Sequence, residues 1–143
     1  MATKYESRIG KVPHAQEKIY GFLADFRNFD RLIPEDRIDN WEAGENYCSF
    51  SIQGVGNVGL KMVEKRANDL LKFTGDSSAN VGFTLWIQIK EATPADSRVK
   101  VTLEAELNPM IRVVAAQPLK QFLEILVGYI EKFDFDAGVL RDA

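Results

Sequence analysis

The chain has one histidine, one cysteine and no excess of positive charge. Each shortage excludes something. A lone cysteine, Cys48, cannot form an internal disulfide. One histidine and one cysteine cannot build a zinc site unaided, so neither a metal nor another cofactor is expected. A formal net charge of −3 lacks the basic footprint of a nucleic-acid binder. No run of about 18 apolar residues is found, so no membrane span is expected. The first residues, MATKYESRIGK, carry no apolar stretch of the kind a secretory signal needs. The expected location is therefore cytoplasmic. There is no internal repeat and no low-complexity segment.

What remains is the composition of an ordinary globular protein, 143 residues with 45% hydrophobic and 27% charged. That length predicts one domain, residues 1–143, with one core over 3–133. The end of the chain, FDFDAGVLRDA, predicts a loosely ordered tail from residue 134 onward.

The longest helical pattern runs from Asn108 to Phe133. Its apolar residues, among them Ile111, Leu119, Phe122, Leu123, Leu126 and Ile130, cover roughly half the circumference of a 3.6-residue wheel. A stripe that wide suits a helix lying on a broad surface. Asn108 is a good N-cap and Pro109 a good first residue. Pro118 cannot donate to the carbonyl of Val114, which predicts a kink or two abutting helices. Near the other end, residues 3–12 alternate and predict a strand. Two short helices follow, the first with Ile19, Phe22, Leu23 and Phe26 on one face, the second over Asn28–Ile33 before Pro34.

From Arg37 to Leu107 the period shifts towards two. Six strands are predicted, separated by Gly44, the Gly54–Gly59 stretch, Ala67–Asn68, Asp76–Asn80 and Thr93–Ser97. Val99, Val101, Leu103, Ala105 and Leu107 alternate with Lys100, Thr102, Glu104 and Glu106. One dry face and one wet face indicate an antiparallel sheet covered on one side. In the strand before it, Val81, Phe83, Leu85, Ile87 and Ile89 take the dry face and leave Trp86 outside. That outward Trp offers either isolated surface area or the contact of a homodimer.

The predicted fold is thus α+β, a curved antiparallel sheet of about seven strands in the order β-α-α-β6-α, wrapped around a long C-terminal helix. The stretches YESRIGKVPHAQEKIYGFLADFRNFDRLIP and FTLWIQIKEATPADSRVKVTLEAELNPM, with the helix after them, resemble the SRPBCC, or START/Bet v 1-like, superfamily and its helix-grip fold. The resemblance covers nearly the whole chain. It lies in element order and local character, with no catalytic signature. It implies a cavity between sheet and helix that holds an apolar ligand such as a lipid, an isoprenoid or a polyketide-like ring. Expected lining residues are Trp41, Cys48, Phe50, Met62, Phe73, Phe83, Leu85, Ile87, Leu103, Met110, Arg112, Val114, Phe122, Leu126 and Tyr129. Arg112 falls at the edge of the apolar arc, where it would meet a ligand carboxylate or carbonyl at the cavity mouth, or else turn outward.

Four further patterns bear on function. The resemblance admits a cyclase or dehydratase acting in the same cavity, with an acid or base positioned there. Gly54–Gly59 spells G-x-G-x-x-G, the fingerprint of a dinucleotide site, but it follows a strand carrying Ser49 and Ser51 and opens mid-chain. A glycine-rich hairpin is the expectation there. Glu35, Asp36 and Asp39 form a carboxylate group expected to be a solvated turn. His14 is expected at the surface, at the start of a helix, with nothing bringing it to Cys48.

Overall fold

A computed structural model of the chain describes residues 2–32, 39–52, 56–77 and 82–140. Strands β1 (Ala2–Glu6) and β2 (Gly10–Val12) lead to helix α1 (Gln16–Leu23), a 3-10 turn (Phe26–Asn28) and helix α2 (Phe29–Leu32). Six strands follow: β3 (Asp39–Ala43), β4 (Tyr47–Ile52), β5 (Gly56–Arg66), β6 (Leu70–Ser77), β7 (Gly82–Thr93) and β8 (Asp96–Glu106). Helix α3 (Pro109–Lys132) comes next, then a small hairpin of β9 (Phe133–Asp134) and β10 (Val139–Leu140). Ile33 and Pro34, the predicted end of the second helix, lie outside the described residues.

The sheet is antiparallel throughout, in the order β1-β8-β7-β6-β5-β4-β3, with β2 also on β8. Consecutive strands from β3 to β8 pair as hairpins, as the roughly ten-residue spacing demands. The turn at Ala67–Asn68 places Asn68 at φ 66°, a left-handed conformation that asparagine tolerates. Leu85, Ile87 and Ile89 of β7 and Val99, Val101, Leu103 and Ala105 of β8 are buried on one face. That face and the three helices share one hydrophobic core. This is the α+β helix-grip arrangement expected from the pattern of periods.

Two local expectations are corrected, and the dinucleotide alternative at the glycines is excluded. The predicted strand 3–12 is two strands with a break at 7–9. Ser7 makes the break, because its Oγ accepts the Val101 N–H at 2.9 Å and donates to the Arg8 carbonyl at 2.7 Å. The Ser7 N–H still donates to the Val101 carbonyl at 2.8 Å, so the side chain replaces one of the two backbone bonds at this step. The G-x-G-x-x-G reading fails as a nucleotide site, since Gly56–Arg66 is a strand paired antiparallel with β4 and β6 and no helix follows the glycines. Gly54 lies outside the described residues. Residues 134–140 are not a loose tail. Phe133 is buried and Phe135 packs on it and on Phe22, which pulls the segment onto α1 and into the β9–β10 hairpin.

Helix α3 is one continuous helix with Pro118 inside it. Asn108 Oδ1 caps it by accepting the Ile111 N–H at 2.9 Å. Its buried residues, Leu123, Leu126, Val127 and Ile130, all lie beyond Pro118. There α3 comes so close to β2 that a Cβ on Gly10 would stand 2.9 Å from Val127 Cγ2. Before Pro118, Met110, Val113 and Val114 are 80%, 81% and 69% exposed. By length and composition α3 also reaches the minimum for crossing a membrane, a test that core helices of soluble proteins pass as well.

Candidate functional site

The space between sheet and α3 closes around a chain of six aromatic rings. Phe73 of β6 meets Phe26 at 5.2 Å between centroids, and Phe26 meets Phe29 at 5.2 Å. Phe29 stacks on Trp41 of β3 at 6.4 Å and 7°. Trp41 meets Phe50 of β4 at 5.7 Å, and Phe50 meets Phe122 of α3 at 6.4 Å. The rings line an apolar cavity together with Cys48, Leu60, Leu85 and Leu126.

Sequence spacing puts them there. Trp41, Cys48, Phe50, Leu60, Phe73 and Leu85 come from strand positions facing the helix, where alternate residues share a face. Phe26 and Phe29 stand three apart across the 3-10 turn and α2, which close the end of the grip. Phe122 and Leu126 are one turn apart on α3, just past Pro118. The cavity volume is about 10 Å³, close to the space one water molecule needs.

Of the fifteen expected lining residues, Trp41, Cys48, Phe50, Phe73, Leu85, Phe122 and Leu126 border this cavity. Met62, Ile87 and Leu103 are buried on the same sheet face but do not border it. Phe83 and Tyr129 are half-buried against the core. The Phe83 ring lies over Gly75, where any Cβ would stand 2.5 Å from Phe83 Cζ and 2.6 Å from the Gly59 carbonyl oxygen. Met110, Arg112 and Val114 are exposed and do not border this cavity. The wheel put them beside the buried residues, but in the first half of α3 it is Ile111 and Ala116 that pack on the core. Phe26, Phe29 and Leu60 border the cavity and were not among the expected residues. The signal for the first two was the position of the short helices at one end of the grip.

Cys48 is the one titratable side chain among the lining residues. Burial pushes its thiol from 9.0 up to about 12, so it stays neutral and is a poor nucleophile. His14 does not approach it. That ring is buried instead against Phe135, edge to face, at 5.3 Å. Asp39 is exposed on β3, and Glu35 and Asp36 lie outside the described residues. Trp86 sits on the outer sheet face, half-buried, with the Lys72 ammonium 5.9 Å from its ring centroid.

No protein-family model matches the chain, and no curated protein matches it in sequence. Solved structures do match its shape. Truncated norcoclaurine synthase from Thalictrum flavum superposes with a TM-score of 0.72 at 13% identity, over 92% of this chain and 92% of that one. The aromatase/cyclase Zhui from Streptomyces sp. R1128 gives 0.60 at 12% identity, over 92% and 95%. A START superfamily protein from Mycobacterium smegmatis gives 0.59 at 15% identity, over 91% and 97%. Likeness at this identity establishes the fold alone, a helix grip, and one fold serves many activities.

Proposed function

We propose that the protein binds a small, mostly apolar molecule, such as a lipid, an isoprenoid or a polyketide-like ring, between the sheet and α3. The observation that carries this reading is the cavity lining: six aromatic rings, three leucines and one neutral thiol, with no charged or hydroxyl-bearing side chain among them. A pocket for a small molecule is usually some 300–1,000 Å³, so this one must open to be filled. The part of α3 placed to open it is the less buried first half, which ends at Pro118 one turn before Phe122. One structure of norcoclaurine synthase holds dopamine and hydroxybenzaldehyde, so in that protein the same fold accommodates aromatic molecules.

A cyclase or dehydratase reaction in this cavity would need an acid or base at the reacting atom. The raised thiol of Cys48 supplies neither near neutral pH, and that favours binding over catalysis. The whole chain acts in this reading as one binding domain, in the cytoplasm.

The test is native mass spectrometry of the freshly purified chain, followed by thermal unfolding against a panel of lipids and aromatic metabolites. A true ligand at a hundredfold excess over its Kd raises Tm by roughly 5–10 °C. It also shields Cys48 from alkylation. A panel that moves neither Tm nor the alkylation rate refutes the proposal.

A further inference from the structure

His14 is the only histidine in the chain, and it is 7% exposed. Its backbone is held on both sides: its N–H donates to the Val12 carbonyl at 2.8 Å, and its carbonyl accepts the Ser97 hydroxyl at 2.8 Å. The ring, by contrast, makes no hydrogen bond to any described residue. Nε2 is buried without a partner. Nδ1 faces Asp136 Oδ2 at 3.7 Å, too far for a hydrogen bond. A buried imidazole left in this state calls for an explanation.

The residues it faces belong to the hairpin after α3. Asp134 Oδ1 accepts the N–H groups of Asp136 at 2.9 Å and Ala137 at 3.0 Å, which fixes the turn. Asp136 Oδ1 accepts from the Lys18 ammonium of α1. One ligand atom from each of His14, Asp134 and Asp136 lies within 4.8 Å of the other two. Two ligands bound tetrahedrally at about 2.0–2.1 Å from one zinc ion stand about 3.4 Å apart. The 3.7 Å separation of Nδ1 and Oδ2 is therefore too long for a direct pair and close to what a shared ion requires.

We propose that His14, Asp134 and Asp136 bind a divalent first-row transition ion of the zinc type. The imidazole nitrogen favours such an ion over Mg²⁺ or Ca²⁺, which prefer oxygen ligands. Two carboxylates and a neutral imidazole balance its charge. Three protein ligands leave a fourth position for water. The ion would fasten the hairpin after α3 to the segment leading into α1, and Lys18 is its competitor for Asp136. This site is separate from the apolar cavity and does not depend on what that cavity holds.

The test uses the full, tag-free chain stripped of metal by a chelator. Co²⁺ titration is expected to give visible d–d bands, and Zn²⁺ to raise Tm where Mg²⁺ and Ca²⁺ do not. Replacing His14 risks the fold, so the exposed ligand carries the test. Asp136→Asn weakens Zn²⁺ binding by roughly tenfold or more, whereas Lys18→Met leaves it unchanged or tighter and Cys48→Ser leaves the Co²⁺ bands in place. Equal Zn²⁺ affinity in wild type and Asp136→Asn overturns the proposal. So does loss of binding in Lys18→Met or Cys48→Ser, or an equal response to Mg²⁺.

Discussion

Residues 109–118 and 119–132 of α3 form one helix in two environments. The second half buries Leu123, Leu126, Val127 and Ile130. It is also tied from outside. Glu124 Oε1 accepts the Arg8 N–H at 3.0 Å, Glu131 Oε2 accepts the Lys11 N–H at 2.8 Å, and the Arg8 guanidinium donates to Glu131. The first half exposes Met110, Val113 and Val114. Composition does not separate the halves, since both are apolar. What separates them is how much lies underneath: the second half buries four residues fully, while the first rests on the core only through partly buried Ile111 and Ala116. Helical order costs backbone entropy everywhere, and the second half offsets more of it with packing.

The largest test of this contrast is truncation. Ile130→Ala should lower unfolding free energy by about 2–5 kcal/mol, and Val113→Ala should change it by no more than about 0.5 kcal/mol. Urea titration of both variants checks this; equal losses would erase the distinction. Removing a tie comes next. Glu131→Ala leaves the Lys11 N–H without its partner and should cost about 1 kcal/mol, with faster amide exchange over residues 123–132 and none added over 109–117. Pro118→Ala works in the opposite sense. It restores the missing bond to Val114 and joins the halves, so amide exchange in residues 109–117 should slow by roughly a few-fold, and alkylation of Cys48 should slow with it.

The last test is electrostatic, shows itself only at alkaline pH, and sits at the boundary between the halves, beneath Phe122 and Leu126. The Cys48 thiol is raised in the fold from 9.0 to about 12 by burial. Its neutral form is thus favoured by folding. The stability it contributes is complete below about pH 9 and fades as pH climbs towards 12. Cys48→Ala should lose less stability than wild type across that alkaline window, as read by urea midpoints. Identical pH slopes would mean that water already reaches the thiol.

Much of this was written in the chain. The dry row Val99 to Leu107 and the outward Trp86 follow from period two alone, because one side of the sheet is covered and the other is not. The break at Ser7 was hidden, since a hydroxyl standing in for a backbone partner leaves no mark on hydropathy. The β9–β10 hairpin was signalled by the alternation Phe133–Asp134–Phe135–Asp136, which composition alone read as a tail. Arg112, Met110 and Val114 were placed in the cavity because a wheel treats every turn of a helix as equally supported. The third dimension decides which turns touch anything, and that brought Phe26 and Phe29 into the site in their stead.

Strand β1 lies against β8 with Ala2 opposite Glu106, so the sheet's outer member is recruited across about a hundred intervening residues. Contacts so distant along the polymer slow the search for the native state, to milliseconds or longer in sheet-rich domains. The hairpins from β3 to β8 can zip in succession, each beside its predecessor. Until β8 exists, β1 has nowhere to dock, and β8 waits with an open edge of amides. Assembly of the sheet therefore finishes where the first strand meets β8, and a companion that shields that edge would raise the yield of native protein more than one that speeds the hairpins.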